Sequence, residues 1–301
     1  MRAKAIKLAF AGPVHFGGGR LSDGSPVCDV ATLFSALYIE ALHDGGADDL
    51  LCAARSGDLG LSDSFPYQGA RLYLPKPNIS FAGVEAARRA DSRARKAAKK
   101  LKYIPLESMG DYVRGSLDPI AEIERFSIGE SFLRTKVNLE HRDKPDAEPY
   151  FVGGFSFAPG CGIYFILEGS YDIVPLLEQL GYSGIGGKRT SGYGGFTFSI
   201  EDIEIPEPQV RKARMLLSSA APRKDELDEN LLAGARYRLV RKGGFVQSVS
   251  HAPTPRRKRD FWTFCPGSVF STTFSGEVFD VNDTPESHPV YRYARAMWME
   301  V

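Results

Sequence analysis

The chain has 301 residues, 43% of them hydrophobic, and a formal net charge of +1. That length suits two domains or one elaborated domain, and the apolar fraction is enough for ordinary cores. The near-neutral balance excludes a globally basic or acidic protein, so a charged partner must be met by local clusters.

Residues 3–10 alternate, with Ile6, Leu8 and Phe10 on one face, and predict a first strand. The N-terminal apolar stretch is too short and interrupted for a signal sequence or membrane span. A loop rich in Gly, Pro and Ser-Asp-Gly covers 12–26. Asp29 is placed to cap a helix whose apolar face is Val30, Leu33, Phe34, Leu37 and Ala41, ending near Gly45–Gly46. Residues 57–82 read as short strands and turns. Residues 84–102 carry a narrow stripe (Ala87, Ala90, Ala94, Ala97, Leu101) among eight cations, which suits an exposed helix or a partly disordered segment. Strands are expected over 128–139 and 150–168, with Pro159–Gly160 as a turn and Ile163–Leu167 in the core. Asp172 can cap a short helix bearing Ile173, Leu176, Leu177 and Leu180, with Gly181 at its C′ position. Phe196, Phe198 and Ile200 mark a further strand.

This order, β-α-(insertion)-β-β-α-β over 3–205, is the ferredoxin-like order of an α+β fold, with the insertion at about 45–125. Pro206 and Pro208 suggest a boundary, leaving a smaller, β-rich second domain over 206–301. Its strands are expected at 211–219, 235–242, 244–250, 260–265 and 268–280, with an acidic segment at 225–230.

The run Gly181–Phe196, GYSGIGGKRTSGYGGF, concentrates the chemistry. It holds seven glycines in sixteen residues, with Lys188 and Arg189 at its centre. Glycine in bulk marks backbone that bends sharply or approaches something closely. Backbone amides beside two cations suit a phosphate. A Walker A loop is excluded, because Tyr182 stands where its first Gly belongs and Arg189 where Ser or Thr must hold magnesium. A dinucleotide fingerprint fails too, since Arg189 replaces its last Gly and the run follows a helix. The residues leave open an RNA-backbone clamp, with Thr190 and Ser191 adding hydroxyls, or a glycine-rich turn.

Other candidates are weaker. His15 sits in the Gly/Pro loop as a possible acid/base, or as a His bonded to backbone or stacked on a base. His43-Asp44 superficially suggests a metal phosphohydrolase, but a helix end and turn explains it. The basic run 88–102 suits RNA phosphates, an acidic partner or a solvated face. Arg256, Arg257, Lys258 and Arg259 precede FWTF, and cations beside aromatics suit single-stranded RNA or a charged hairpin tip. Tyr103, Phe132, Tyr150, Phe151, Phe155 and Phe157 are mainly core candidates. Cys28, Cys52, Cys161 and Cys265 lie far apart, which argues against a zinc site or a disulfide framework and for a reduced, cytosolic protein.

The ordered set of motifs resembles the RAMP superfamily of CRISPR-associated proteins. The resemblance is to the fourth-subunit family of type III-A (Csm) effector complexes, related to the Cas five group. It rests on GPVHFG with CDVATLFSAL near the N-terminus, then LPKPN, KKLKYIPL and TKVNLEHRDKPDAEPYFV. The glycine-rich run and RKGGFVQS, PGSVF and HPVYRYARAM complete it. Cys28 departs from the Ser usual before the helix-capping Asp.

The resemblance implies ferredoxin-like, RNA-recognition-type domains, the second smaller and β-rich. It implies a non-catalytic, cytoplasmic subunit in antiviral defence that needs no cofactor or metal and contacts no membrane. Such a subunit holds the 5′ handle of the CRISPR RNA and joins the large polymerase/cyclase-like subunit to a neighbouring backbone subunit. The insertion would project against the guide–target duplex, as in related subunits. The RNA-binding candidates are His15, Phe16, Gly17, Gly184, Gly186, Gly187, Lys188, Arg189, Thr190, Ser191, Arg256 and Arg257. A superfamily endoribonuclease using His15 as general acid/base is the alternative; a protein-only interaction module is a third class.

Overall fold

The computed structural model describes residues 2–79, 92–137, 149–206, 213–246, 256–283 and 288–301. Alternation at the N-terminus produces β1 (Arg2–Phe10), which pairs antiparallel with β9 (Phe196–Glu204) from Arg2↔Glu204 to Phe10↔Phe196. Helix α1 (Val30–Asp44) starts at Asp29, whose carboxylate accepts from the Thr32 amide at 2.8 Å and the Thr32 hydroxyl at 2.7 Å. It ends at Gly45 in the left-handed region, φ 80°. Its expected apolar face, Val30, Leu33, Phe34, Leu37 and Ala41, is fully buried.

Gly46 then starts a helix that the polar run at Gly45–Asp49 disguised. Helix α2 (Ala47–Ser56) has Asp48 and Asp49 in its first turn, where negative charge offsets the positive end of the helix dipole. Strands β2 (Gly60–Leu61), β3 (Phe65–Gln68) and β4 (Arg71–Pro75) follow. Helix α3 (Ser92–Lys100) buries none of its residues, as a cation-rich stripe of alanines dictates; residues 84–91 of that basic stretch lie outside the described residues. Next come β5 (Tyr103–Pro105), α4 (Met109–Arg114) and α5 (Pro119–Arg125).

Strands β6 (Gly129–Val137) and β7 (Pro149–Phe157) pair with each other as a separate two-stranded sheet. This corrects the expectation that 128–139 is the second strand of the main sheet. After the turn at Pro159–Gly160 the chain enters β8 (Cys161–Glu168), with Ile163–Ile166 buried. Helix α6 (Val174–Ser183) ends at Gly184, φ 79°, not at Gly181. Asp172 accepts from the Val174 amide at 3.0 Å, one residue further from the helix than an N-cap.

The main sheet has strand order β5-β4-β3-β8-β1-β9, with β2 also on β8. Three of its strands thus come from 60–75, within the stretch expected to be inserted. The sheets are antiparallel, and the chain mixes them with helices as an α+β fold.

The C-terminal part contributes β10 (Arg214–Leu216), α7 (Glu229–Leu232), β11 (Leu239–Lys242) and β12 (Phe261–Phe264). Strands β13 (Val269–Phe270), β14 (Val278–Asp280), β15 (Tyr291–Tyr293) and β16 (Trp298–Glu300) complete it. The expected strand at 268–280 is two short strands, and 235–242 is a strand only from Leu239. Asp228 caps α7 within the acidic segment, its carboxylate accepting from Leu231 at 2.7 Å. Of the expected strand at 244–250, residues 247–250 lie outside the described residues. One buried cluster joins Ala3, Ala5 and Ile203 to Met215, Val269, Met299 and Val301, so both ends of the chain share a core.

Candidate nucleic-acid interface

The glycine-rich run lies against the loop after β1. The Gly187 amide donates to the His15 carbonyl at 2.9 Å, and the Gly194 amide to the Pro13 carbonyl at 2.9 Å. Ile185 donates to Gly194 at 2.9 Å, and Gly184 to Leu180 at 2.7 Å. Gly186 (φ 93°) passes so close that a Cβ would stand 2.8 Å from the His15 carbonyl oxygen. The amides of Gly184 and Gly187 are therefore spent inside the chain, which overturns the expectation that they offer themselves to a phosphate. The glycines let two pieces of backbone meet.

Lys188 alone among the described non-glycine residues has positive φ, at 63°. This left-handed conformation costs a side-chain-bearing residue roughly 1 kcal/mol. It starts a one-turn 3-10 helix, Arg189–Ser191, on which Thr190 and Ser191 are exposed. Lys188 Nζ stands 5.3 Å from the Tyr150 ring on β7, and Arg134 and Lys136 on β6 approach the Tyr193 ring at 6.0 and 5.7 Å. Loop and hairpin thus exchange cation–π contacts in both directions.

His15 is buried, and its Nδ1 lies 2.7 Å from the Gly153 carbonyl. A carbonyl only accepts, so the Nδ1–H is the donor of this bond. Phe16 is buried against Phe10. Among the aromatic core candidates, Phe155 is buried and Phe151 exposed.

A groove of about 1670 Å³ runs past this junction. It brings together His15, Phe16, Gly17, Gly184, Gly186, Gly187, Arg189 and Arg257. Lys188, Thr190, Ser191 and Arg256 stand outside its lining; Arg256 donates to the Asn282 side chain at 3.3 Å. Arg257 reaches over the exposed Phe245 ring at 5.8 Å. Lys76, Lys99, Lys102, Arg238, Arg241 and Arg259 add to the walls, where cations outnumber Asp29, Asp63, Asp260 and Asp283.

The floor is a buried network that sequence reasoning did not foresee. Asp29 pairs with Lys242 at 2.6 Å while capping α1. Burial works against the Asp29 carboxylate, but the Lys242 ammonium and the Thr32 hydrogen bonds hold it below the usual carboxylate range. Asp63 accepts from the Val30 amide at 3.0 Å, the Ser219 amide at 2.6 Å and the Ser219 hydroxyl at 2.7 Å. Burial first, then repulsion from Asp29, pushes Asp63 up to about 6. Burial pushes the neighbouring Cys28 thiol up to about 12, so it is an inert core group. Only Asp29 could be found from sequence, through its cap position. Lys242, Asp63 and Ser219 meet it from distant parts of the chain.

Among the described residues no cluster of His, Cys, Asp or Glu is arranged to hold a metal, and His43 lies 3.9 Å from Glu40 at a helix end. No described helix is long and apolar enough to cross a membrane.

Residues 209–301 match the family model of the CRISPR Csm4 C-terminal domain. The chain is 38% identical over 295 residues to the CRISPR system Cms protein Csm4 of Mycobacterium tuberculosis (strain CDC 1551 / Oshkosh), covering 95% of this chain and 93% of that protein. It is 32% identical over 302 residues to the same-named protein of Streptococcus thermophilus, with 95% of each covered. Its fold is similar to a chain of a Csm1–Csm4 cassette crystallised with cA4, at TM-score 0.65 and 21% identity, covering 100% of this chain and 98% of that one. A chain of a Csm3–Csm4 subcomplex from the type III-A CRISPR-Cas interference complex matches at TM-score 0.63 and 18% identity, covering 99% and 98%.

Proposed function

The chain belongs to the Csm4 family of CRISPR proteins, and from that premise we propose that it is a non-catalytic RNA-binding subunit of a type III-A effector complex. It holds the 5′ handle of the CRISPR RNA and joins a large Csm1-type polymerase/cyclase-like subunit to a Csm3-type backbone subunit, in the cytoplasm. The observation that carries this reading is the basic groove running past the glycine-rich loop. A groove walled by Lys and Arg follows a sugar-phosphate backbone without reading its sequence.

In this reading the glycines shape the wall and the cations meet the phosphates. Lys188 and Arg189 sit on the rim turn, and Arg257 beside Phe245 offers a cation and an exposed ring for a base. The strand order β9-β1-β8-β3, with α1 and α6 as crossovers, supports a ferredoxin-like unit within 1–205. Residues 206–301 form the second, β-rich unit of the same kind. A buried His15 whose Nδ1 serves Gly153 is a structural residue, not an acid/base.

The test is affinity for a repeat-derived RNA across a salt series, with the assembled complex. Tight, steeply salt-dependent binding of the handle end is expected; salt-independent or absent binding sinks the reading. Metal-independent cutting of that RNA, lost in His15→Ala, would show an endoribonuclease instead.

A further inference from the structure

Strand β15 directs its two tyrosines toward α1: Tyr291 meets Tyr38 at 5.5 Å, and Tyr293 meets Phe34 at 5.3 Å. Strand alternation turns Arg292, between them, to the other face, and Arg292 lines the groove together with Tyr291. Arg292 is only 6% exposed. Its Nη2 donates to the Gly243 carbonyl at 3.0 Å, while its Nε is buried without an acceptor among the described residues. Lys258, half-buried, lines the same groove and has no ion-pair partner among the described residues.

Three neighbouring cations of the groove already have partners. Lys242 has Asp29 at 2.6 Å, Arg241 has Asp260 at 3.5 Å, and Arg259 donates to the Asp280 carbonyl at 2.9 Å. Lys258 has no ion pair of this kind among the described residues, and Arg292 keeps its buried Nε unpaired although its Nη2 serves the Gly243 carbonyl. Burial lowers the proton affinity of both, and repulsion from Arg292 lowers that of Lys258 further; the weaker pull of Asp29 on both, and of Asp260 on Arg292, does not offset it. Two partly desolvated like charges beside one cavity are stabilised by an anion that touches both.

We propose that Lys258 and Arg292 form an anion subsite of the groove that takes one phosphate group of a bound RNA. The guanidinium supplies directed donors, and the ammonium supplies a point charge. The subsite is built from β15 and the 256–259 stretch, not from the Lys188–Arg189 turn, so it adds a second contact for one RNA strand in the groove. The choice of an RNA phosphate rests on the RNA-binding reading above; the anion site itself does not.

Two measurements on the full chain separate these claims. In the first, Lys258 is acylated briefly at neutral pH with and without inorganic phosphate, and followed by peptide mass spectrometry. Phosphate is expected to slow Lys258 severalfold, to leave the exposed Lys224 unchanged, and to lose its effect in Arg292→Gln. An unchanged Lys258 rate overturns the subsite, whether or not the chain binds RNA. In the second, Lys258→Ala is compared with the wild type for RNA affinity against salt. The slope is expected to fall by about one, with an unchanged unfolding midpoint. An unchanged slope in Lys258→Ala, where Lys188→Ala/Arg189→Ala does lower it, shows that the phosphate bound at Lys258 is not the RNA's and overturns the proposal. Absent RNA affinity in the wild type overturns the RNA assignment, and phosphate protection then decides the anion site alone.

Discussion

The Gly187 amide donates to the His15 carbonyl oxygen at 2.9 Å, and a Cβ added to Gly187 would stand 2.6 Å from His15 Cδ2. The glycine-rich loop therefore sits on the His15 strip because one residue there has no side chain. Gly187→Ala should destabilise the chain by about 1–3 kcal/mol through overpacking. His15→Ala should cost a similar amount by removing the bond to Gly153 and the packing of the ring. Combined, they should cost less than their sum, since the second removes the ring that obstructs the first. A double-mutant cycle by denaturant unfolding checks this; additivity within about 0.5 kcal/mol would refute the contact.

Lys188 separates charge from strain. Lys188→Gly relieves the left-handed backbone and removes the cation. The unfolding midpoint should hold or rise, while RNA affinity falls and the salt slope drops by about one. Adding Arg189→Ala should lower the slope by about one more. Equal slopes in wild type and variant would exclude this turn from the RNA path.

The Tyr193 hydroxyl is buried with no hydrogen-bond partner among the described residues, although its ring is held between loop and hairpin. Tyr193→Phe should leave stability unchanged or raise it by about 1 kcal/mol, because a desolvated hydroxyl is removed and the ring contacts stay. A thermal melt decides; a clear loss would reveal an acceptor for that hydroxyl.

Asp63 and Asp29 predict opposite pH responses. The folded-state value of Asp63, about 6, lies above the ordinary 3.8, so the folded chain binds that proton more tightly than the unfolded chain. Stability from this group is greatest below about pH 4 and declines as pH rises to about 6, by an amount on the order of 2–3 kcal/mol. Asp29 is held below 3.8, so its contribution is present above that value and is lost as pH falls through the lower folded value. Urea unfolding from pH 4 to 8 should show the decline, and Asp63→Asn should flatten it. A profile unchanged by Asp63→Asn would assign the decline elsewhere.

Local pattern recovered what local physics decides. The α1 face, its Asp29 cap, the alternation of β1 and the turn at Pro159–Gly160 are all fixed by neighbours in sequence. Helix α2 was missed because Asp48 and Asp49 look like turn residues until they are seen as favourable charges at a helix start. The partner of β8 was misassigned because β3 is four residues long, FPYQ, and contains a proline. The longer β6–β7 pair reads as a better strand yet folds on itself. Within the site, glycine density announced a close approach but could not say to what. The answer, His15 and Phe16, lies about 170 residues upstream, and Asp63, Ser219, Lys242 and Arg292 converge on the groove by tertiary placement alone.

The position of β1 between β8 and β9 has a kinetic consequence. Leu8 pairs with Ile163 on one edge and Phe198 on the other, so neither neighbour exists when β1 leaves the ribosome. At ordinary elongation rates, the roughly 155 residues separating Leu8 from Ile163 take on the order of 8–30 s to synthesise. During that interval a nine-residue strand with Ile6 and Leu8 on one face has two unpaired edges. Translation speed and early capture of the nascent chain, more than final stability, should govern how much of this protein reaches its native sheet.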